Sequence, residues 1–226
     1  MRAEVGKMGF QDYERPAVAA DLVLFRVSDG KLQTALIRRQ VQDVEHGKWS
    51  LPGGFVDIDK TLQEILYGKV AEKLGFDCFS ARQFAIRDNL ARDDRWRVIS
   101  CVYLGVLTGK PAGEYCVWFN TERAEEGLLY REGESVRMDE LAFDHASMIL
   151  EAIARLRHDL YTEEEGFLMT GERFTLTELC STFEAVLGTG IDNFTRRTKE
   201  LVEPTGETVR GERHRPAQIF KRRADR

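Results

Sequence analysis

No stretch of this 226-residue sequence approaches the roughly 20 consecutive apolar residues that a membrane-crossing helix needs. The first residues, MRAEVGKMGFQDYERP, lack the apolar centre of a secretory signal. A cytoplasmic protein with no membrane partner is expected. Cysteine is sparse too. Cys78, Cys101, Cys116 and Cys180 form no C-x-x-C pair, so neither a zinc ribbon nor a disulfide framework is read, and the thiols are expected to be reduced and buried. Internal repeats and low-complexity tracts are missing as well. What is present is ordinary for a folded chain: 42% hydrophobic and 31% charged residues argue against disorder. The length leaves room for one medium domain and one small one.

Charge is unevenly spread. From Gly190 to Arg226 there are ten Lys/Arg against six Asp/Glu, so of the overall −5 the rest of the chain carries −9. An acidic body with a basic tail points to a polyanion as the tail's partner.

Ala19–Val27 and Leu32–Arg39 read as strands about the turn Ser28-Asp29-Gly30-Lys31. Thr61 is placed to cap a helix with Glu64 as its capping-box partner, and Leu62, Leu66, Val70 and Leu74 give that helix a buried stripe. Val98–Leu107 reads as a central strand, Glu114–Phe119 as another, and Phe143–Leu160 as a long amphipathic helix. The acidic run Glu163-Glu164-Glu165-Gly166 reads as a junction. The predicted division is residues 1–160, with about the first dozen flexible, and residues 161–226. In the second part Thr175 and Glu178 form another capping box; Leu176, Leu179, Phe183, Val186 and Leu187 are the buried face and Gly188 the stop. Ile191–Val202 reads as a second helix, followed by a hairpin from Pro204-Thr205-Gly206 back through Ala217–Phe220. Helix, tight turn, helix and basic hairpin is the layout of a winged helix-turn-helix.

Leu51–Phe76, LPGGFVDIDKTLQEILYGKVAEKLGF, has the shape of a Nudix box. On the pattern G-x5-E-x7-R-E-U-x-E-E-x-G-U it matches at Gly54, Val70, Glu72, Gly75 and Phe76. Lys60, Gly68, Lys69 and Lys73 stand where a glutamate, an arginine and two more glutamates belong. Residues at i, i+1, i+4 and i+5 share a helix face, so one carboxylate, Glu72, lies between two ammoniums and is expected to pair with them. Magnesium needs oxygen ligands and a group to activate water; this face repels it. No catalytic and no metal-ligating residue is assigned, and no cofactor is required. The lysines are either harmless drift on a half-exposed face or counter-charges for a diphosphate that is bound and kept.

With Ala91–Leu107 (ARDDRWRVISCVYLGVL), Leu141–Leu150 (LAFDHASMIL) and the C-terminal layout, the chain resembles the Nudix-related transcriptional regulators of NAD metabolism, the NrtR type, over about Tyr13 to Lys221. That resemblance implies an α/β fold: a Nudix α/β/α sandwich with a mixed sheet, followed by a small winged helix-turn-helix. It implies a homodimeric repressor of NAD synthesis or salvage genes, bound to a palindromic double-stranded operator in the cytoplasm, hence nucleoid-associated, and responsive to ADP-ribose or a related nucleotide. Sugar-responsive relatives share the architecture and remain an alternative.

In a winged helix the second helix meets base edges with its first turns. Asn193, Thr195, Arg196, Arg197 and Lys199 are the candidates there, Asn suiting adenine and Arg guanine; Phe194 and Leu201 are assigned to packing. Arg210, Arg213, His214 and Arg215 of the wing suit phosphates or a minor groove, and Thr175 and Thr177 phosphates at a positive helix end. For the nucleotide, Arg38, Arg39, Arg95, Arg97, Lys69 and Lys73 are candidate phosphate contacts, and Glu72 is a further candidate contact to the ligand. Trp49 or Trp96 is a candidate for base stacking. His145 either links the long helix to the pocket or is a satisfied helix-face histidine. Two other classes stay open: an ADP-sugar pyrophosphatase recruiting Glu64, Asp57 or Asp59, and a nucleotide-binding scaffold for a protein partner.

Overall fold

The structure, a computed structural model, describes residues 14–111, 113–209 and 216–224. The first dozen residues, expected to be flexible, lie outside the described part. Strands β1 (Ala17–Ser28) and β2 (Lys31–Arg38) form the expected hairpin, with Asp29 and Gly30 at φ 52° and 70° in the turn. Short β3 (Trp49–Ser50) and β4 (Gly53–Phe55) follow. The box helix comes in three pieces: α1 (Leu62–Ile65), a π-helical turn (Leu66–Val70) and α2 (Ala71–Leu74). The Thr61/Glu64 capping box is present at its start. Gly75 ends it at φ 84°, a conformation that disfavours any residue with a Cβ.

Next come β5 (Phe79–Arg87), β6 (Val98–Leu107), β7 (Val117–Asn120), β8 (Leu128–Arg131) and β9 (Glu134–Arg137). The sheet order is β5-β6-β1-β2-β7-β8-β9, with β3 on β2 and β4 on β1. Among the described residues only β1 and β6 run parallel, which makes the sheet mixed, as the resemblance implied. Strands β5, β8 and β9 were not read from the sequence. Their burial does not alternate cleanly and they sit toward the sheet edges, where a period-2 signal weakens. Strand β7 begins three residues later than predicted, because Tyr115 turns out of the sheet and donates its N–H to Leu74 O.

Successive β1 residues serve opposite faces. Leu22 and Leu24 pack with Leu66, Val70, Leu74 and Trp118 under the box helix. Val23 and Phe25 join Phe119 and the apolar stripe of α3 (His145–Asp159): Met148, Ile149, Ala152, Ile153 and Leu156. Helix α3 starts two residues later than predicted, since Phe143 is left-handed at φ 51° and donates its N–H to Glu45 Oε2 at 2.8 Å.

The second core continues without a break into the C-terminal part. The acidic run is no loose junction: α4 (Glu165–Thr170) starts within it, and Glu165 is buried. A Cβ on Gly166 would stand 2.8 Å from Leu160 and Phe183, so glycine is what lets α4 seat there. Helix α5 (Leu176–Leu187) carries the second capping box and ends at Gly188. Its Phe183 is fully buried and meets Tyr161, Phe167 and Phe194 edge-on. Arg82 of β5 bonds Asp159 (2.6 Å) and Glu165, tying the end of α3 and the start of α4 to the sheet edge. Burial alone would raise the Asp159 carboxyl; hydrogen bonds from His158, Arg155 and Arg82 outweigh it and bring the pKa down to about 2.

The predicted second helix is shorter than expected. Helix α6 spans Phe194–Thr198, because Asn193 is left-handed at φ 55° and the chain turns after Lys199. Strands β10 (Val202–Val209) and β11 (Ala217–Arg222) form the hairpin, and a bridge between Phe174 and Phe220 ties β11 to the segment before α5.

Candidate functional site

A cleft of about 560 Å³ opens beside the Gly53-Gly54 turn, across the ends of β1, β2 and β6. Its positive lining is Arg38, Arg39, Lys73, Arg92 and Arg95; Asp21, Asp43 and Asp93 oppose it. Asp21 is buried, accepts from Ser100 Oγ at 2.5 Å, and lies so close under the turn that a Cβ on Gly53 would be 2.1 Å from its Oδ1. Glycine there is a requirement of the site, not only of the turn. Arg92 is buried between Asp144 (3.0 Å) and Asp21 (3.4 Å). His145 accepts the Leu51 N–H at Nδ1, 3.0 Å away, and burial holds its pKa below the usual 6.5, so the ring is neutral. It is both satisfied and part of the cleft wall, and it ties the start of α3 to the glycine turn.

The box lysines are engaged. Lys69 Nζ donates to Phe55 O (3.1 Å) and Asp57 Oδ1 (2.6 Å), and Lys60 reaches the other Asp57 oxygen at 3.5 Å. Lys73 Nζ donates to Gly53 O at 2.6 Å. Glu72 was expected to pair with them. It points to solvent, and Asp57 takes that place because the loop carbonyls and Asp57 lie nearer the lysine tips. The hydrogen bond from Lys69 lowers the Asp57 pKa, and loss of water on burial lowers that of Lys73. Among the described residues no three His, Cys, Asp or Glu converge in a way that could hold a metal ion. Two ammoniums bonded to the loop at the ligand positions do not fit magnesium. Of the carboxylates offered as substitutes, Glu64 is taken by the Thr61 cap and Asp57 by lysines, while Asp59 is exposed.

Of the expected ligand contacts, the structure brings Arg38, Arg39, Lys73 and Arg95 to the cleft. Trp49 packs edge-on to Phe119 and donates to Glu134 at 3.2 Å, so it is core with Arg38 stacked on it rather than a free base platform. Arg97 turns away to the Asp88 carbonyl, and Lys69 and Glu72 lie outside the lining. Trp96 is exposed and also outside it. Sequence reasoning missed Asp21, Arg92, Tyr115 and Phe143. The first sits in an apolar strand and the third was assigned to one; no local pattern marks either.

In the C-terminal part Thr195, Arg196 and Lys199 point outward, and neither the Arg196 nor the Lys199 side chain has a partner among the described residues. Arg197 lies over the Tyr161 ring at 4.6 Å. Asn193 precedes the helix and holds it by its carbonyl, which accepts from Arg196 and Arg197 N–H. Thr177 is exposed, but the Thr175 hydroxyl is buried and spent on Glu178. The Glu178 carboxylate occupies the same helix end as the other half of the capping box. Arg210, Arg213, His214 and Arg215 lie outside the described residues.

The comparisons agree with this layout. Residues 15–149 match the NUDIX domain family and residues 166–221 the NrtR DNA-binding winged helix domain. The chain is 31% identical to an ADPR responsive transcriptional repressor of Acinetobacter baylyi, over 93% of this chain and 83% of that one. It is 30% identical to an ADP-ribose pyrophosphatase of Methanocaldococcus jannaschii, over 61% of this chain and 73% of the other. The crystal structure of Shewanella oneidensis NrtR with a 27mer DNA superposes with a TM-score of 0.73 at 28% identity, covering 91% of this chain and 93% of that one. A Nudix sandwich and an NrtR winged helix on one continuous core, matched along nearly the whole length, place this chain in the NrtR family of transcriptional regulators.

Proposed function

We propose that the protein is a repressor whose Nudix cleft binds ADP-ribose, or a related nucleotide, and does not hydrolyse it. The observation carrying this is the pair of box lysines, Lys69 and Lys73, bonded to the Phe55 and Gly53 carbonyls where magnesium ligands belong. Ammoniums tied to the loop in the ligand positions leave no place for a Lewis acid, which favours retention of a diphosphate over its cleavage. The relatives support the ligand class, since ADP-ribose figures in the names of both the repressor and the pyrophosphatase. ADP-ribose is a fragment of NAD, so genes of NAD synthesis or salvage are the proposed targets. A two-fold operator calls for a homodimer, one reading head per half-site. Helix α3 touches the cleft at His145 and the reading head's anchor at Asp159, which supports coupling between ligand and DNA; that coupling must be reciprocal.

Calorimetric titration of the full chain with ADP-ribose, with and without EDTA, is the test. Equal affinity in both, with no product after prolonged incubation with magnesium, is expected. Affinity that collapses on chelation, or steady release of AMP, would refute it. A mobility shift on promoters of neighbouring genes, with and without ADP-ribose, tests the regulatory half.

A further inference from the structure

The turn after α3 is built as an extension of that helix. The N–H groups of Thr162 and Glu163 both donate to Asp159 O at 2.9 Å, and the Thr162 hydroxyl donates to the same oxygen at 3.1 Å. The Asp159 carboxylate is fixed in turn by Arg82 and Arg155. Tyr161, inside this turn, therefore follows α3 and the sheet edge rather than the winged helix. At about 1.5 Å per residue, the fifteen residues of α3 carry that connection about 22 Å back to His145, which holds the Leu51 N–H beside the cleft.

Both DNA-side elements rest on this one turn. The Arg197 guanidinium of α6 lies over the Tyr161 ring, 4.6 Å from its centroid, within reach of a cation–π contact. From the hairpin, Arg222 of β11 donates to Thr162 O at 3.2 Å and lies over the Phe167 ring at 5.4 Å. The Tyr161 ring meets Phe183 edge-on at 5.1 Å, and Phe183 meets Phe194 of α6 at 5.6 Å. Helix α6 thus touches the aromatic cluster twice, through Phe194 by packing and through Arg197 by charge against a π face. A five-residue helix is not stable by itself, so its direction is set by what it rests on.

The Tyr161 hydroxyl is buried and has no hydrogen-bond partner among the described residues. A buried hydroxyl left unmet costs free energy. What this position uses is the ring face, not the oxygen.

We infer that Tyr161 and Arg197 form the joint through which occupancy of the Nudix cleft sets the direction of α6. Tyr161 is a positioning residue, and Arg197 is a strut between ring and helix rather than a base reader. This rests on the proposed coupling between ligand and DNA and adds where it passes: a shift of α3 moves the Tyr161 ring, and the guanidinium stacked on it carries α6 along.

Fluorescence anisotropy of a promoter duplex that the unaltered full-length protein binds, with and without saturating ADP-ribose, tests it. The reading is the ratio of the two duplex affinities, which normalises for the basal affinity of each variant. Tyr161→Leu keeps apolar bulk and removes the π face; it should shrink the ratio by about fivefold or more. Tyr161→Phe should keep it. Arg197→Gln should shrink it as far as Tyr161→Leu, and the double variant no further, because the pair acts as one unit. Arg196→Gln should lower duplex affinity and leave the ratio alone. Because Tyr161→Leu could disturb the Phe183 cluster, the exposed Arg197 gives the same reading without touching the core. A full ratio in Tyr161→Leu or Arg197→Gln, its loss in Tyr161→Phe, or losses that add in the double variant would overturn the joint while the ligand reading stands. If ADP-ribose leaves the duplex affinity of the unaltered protein unchanged, the coupling itself fails and takes this inference with it.

Discussion

The box helix and α5 open on the same device, a threonine whose hydroxyl takes the N–H of a glutamate three residues on, and both close on a left-handed glycine. Their lobes then treat positive charge in opposite ways. In the first, Lys69 and Lys73 are bound by loop carbonyls and Asp57, so the helix is locked to the glycine turn. In the second, the short helix after α5 leaves Arg196 and Lys199 without internal partners among the described residues. A charge already satisfied shapes a site; a charge left unsatisfied is available to a polyanion. The difference between sensing lobe and reading lobe therefore lies in where ammonium and guanidinium groups find oxygen, not in helix design.

The contrast is between two lobes with one core, and breaking that core should have the largest effect. Phe183→Ala should cost about 3–5 kcal/mol. In calorimetry a single transition should move down as a whole; two separate transitions would show that the lobes fold independently. Acid should loosen the same junction more gently. The folded Asp159 carboxyl sits at about 2 against an ordinary 3.8, so the unfolded chain takes up the proton first. Its contribution, about 2.5 kcal/mol, is present in full above roughly pH 5 and is lost as pH falls through 2. Asp159→Asn should flatten acid denaturation curves in that window; an unaltered curve would remove Asp159 from the account. In the reading lobe, Arg196→Ala should weaken operator binding by about 1–3 kcal/mol if it reads a base. Arg197→Ala should do less, because that guanidinium already rests on Tyr161. Smallest of all, Lys199→Ala should reduce the salt slope of DNA binding by about one unit and leave sequence preference alone, as a phosphate contact would.

Local rules carried far along this chain. Both capping boxes, the β1–β2 hairpin, the interior strand β6 and the apolar stripe of α3 follow from spacing and residue type, and all are present. The cleft was half legible. Arg38, Arg39, Lys73 and Arg95 stand out as charges near a glycine turn, but Trp49 looked equally suitable and is core. Tyr115 was hidden inside an apparent strand, and Asp21 inside a run of apolar residues. Only the packing of four strands side by side gives these residues a common cavity. Glu72 failed for a related reason: its neighbours on the helix face are known from the sequence, yet the loop that competes for the lysines is not.

The capped helices with their apolar stripes, the broken carboxylate pattern and the basic tail were determined by residue order, because each depends on neighbours within a few positions. The tertiary structure alone decided that the two lobes share a core through Phe183, that Asp57 rather than Glu72 answers the lysines, and that aromatic, cationic and acidic groups line one path across the sheet. The physical reason is range. Hydrogen bonds along a helix are closed by nearby residues, whereas burial and charge pairing are settled by whichever distant segments the fold holds within bonding distance.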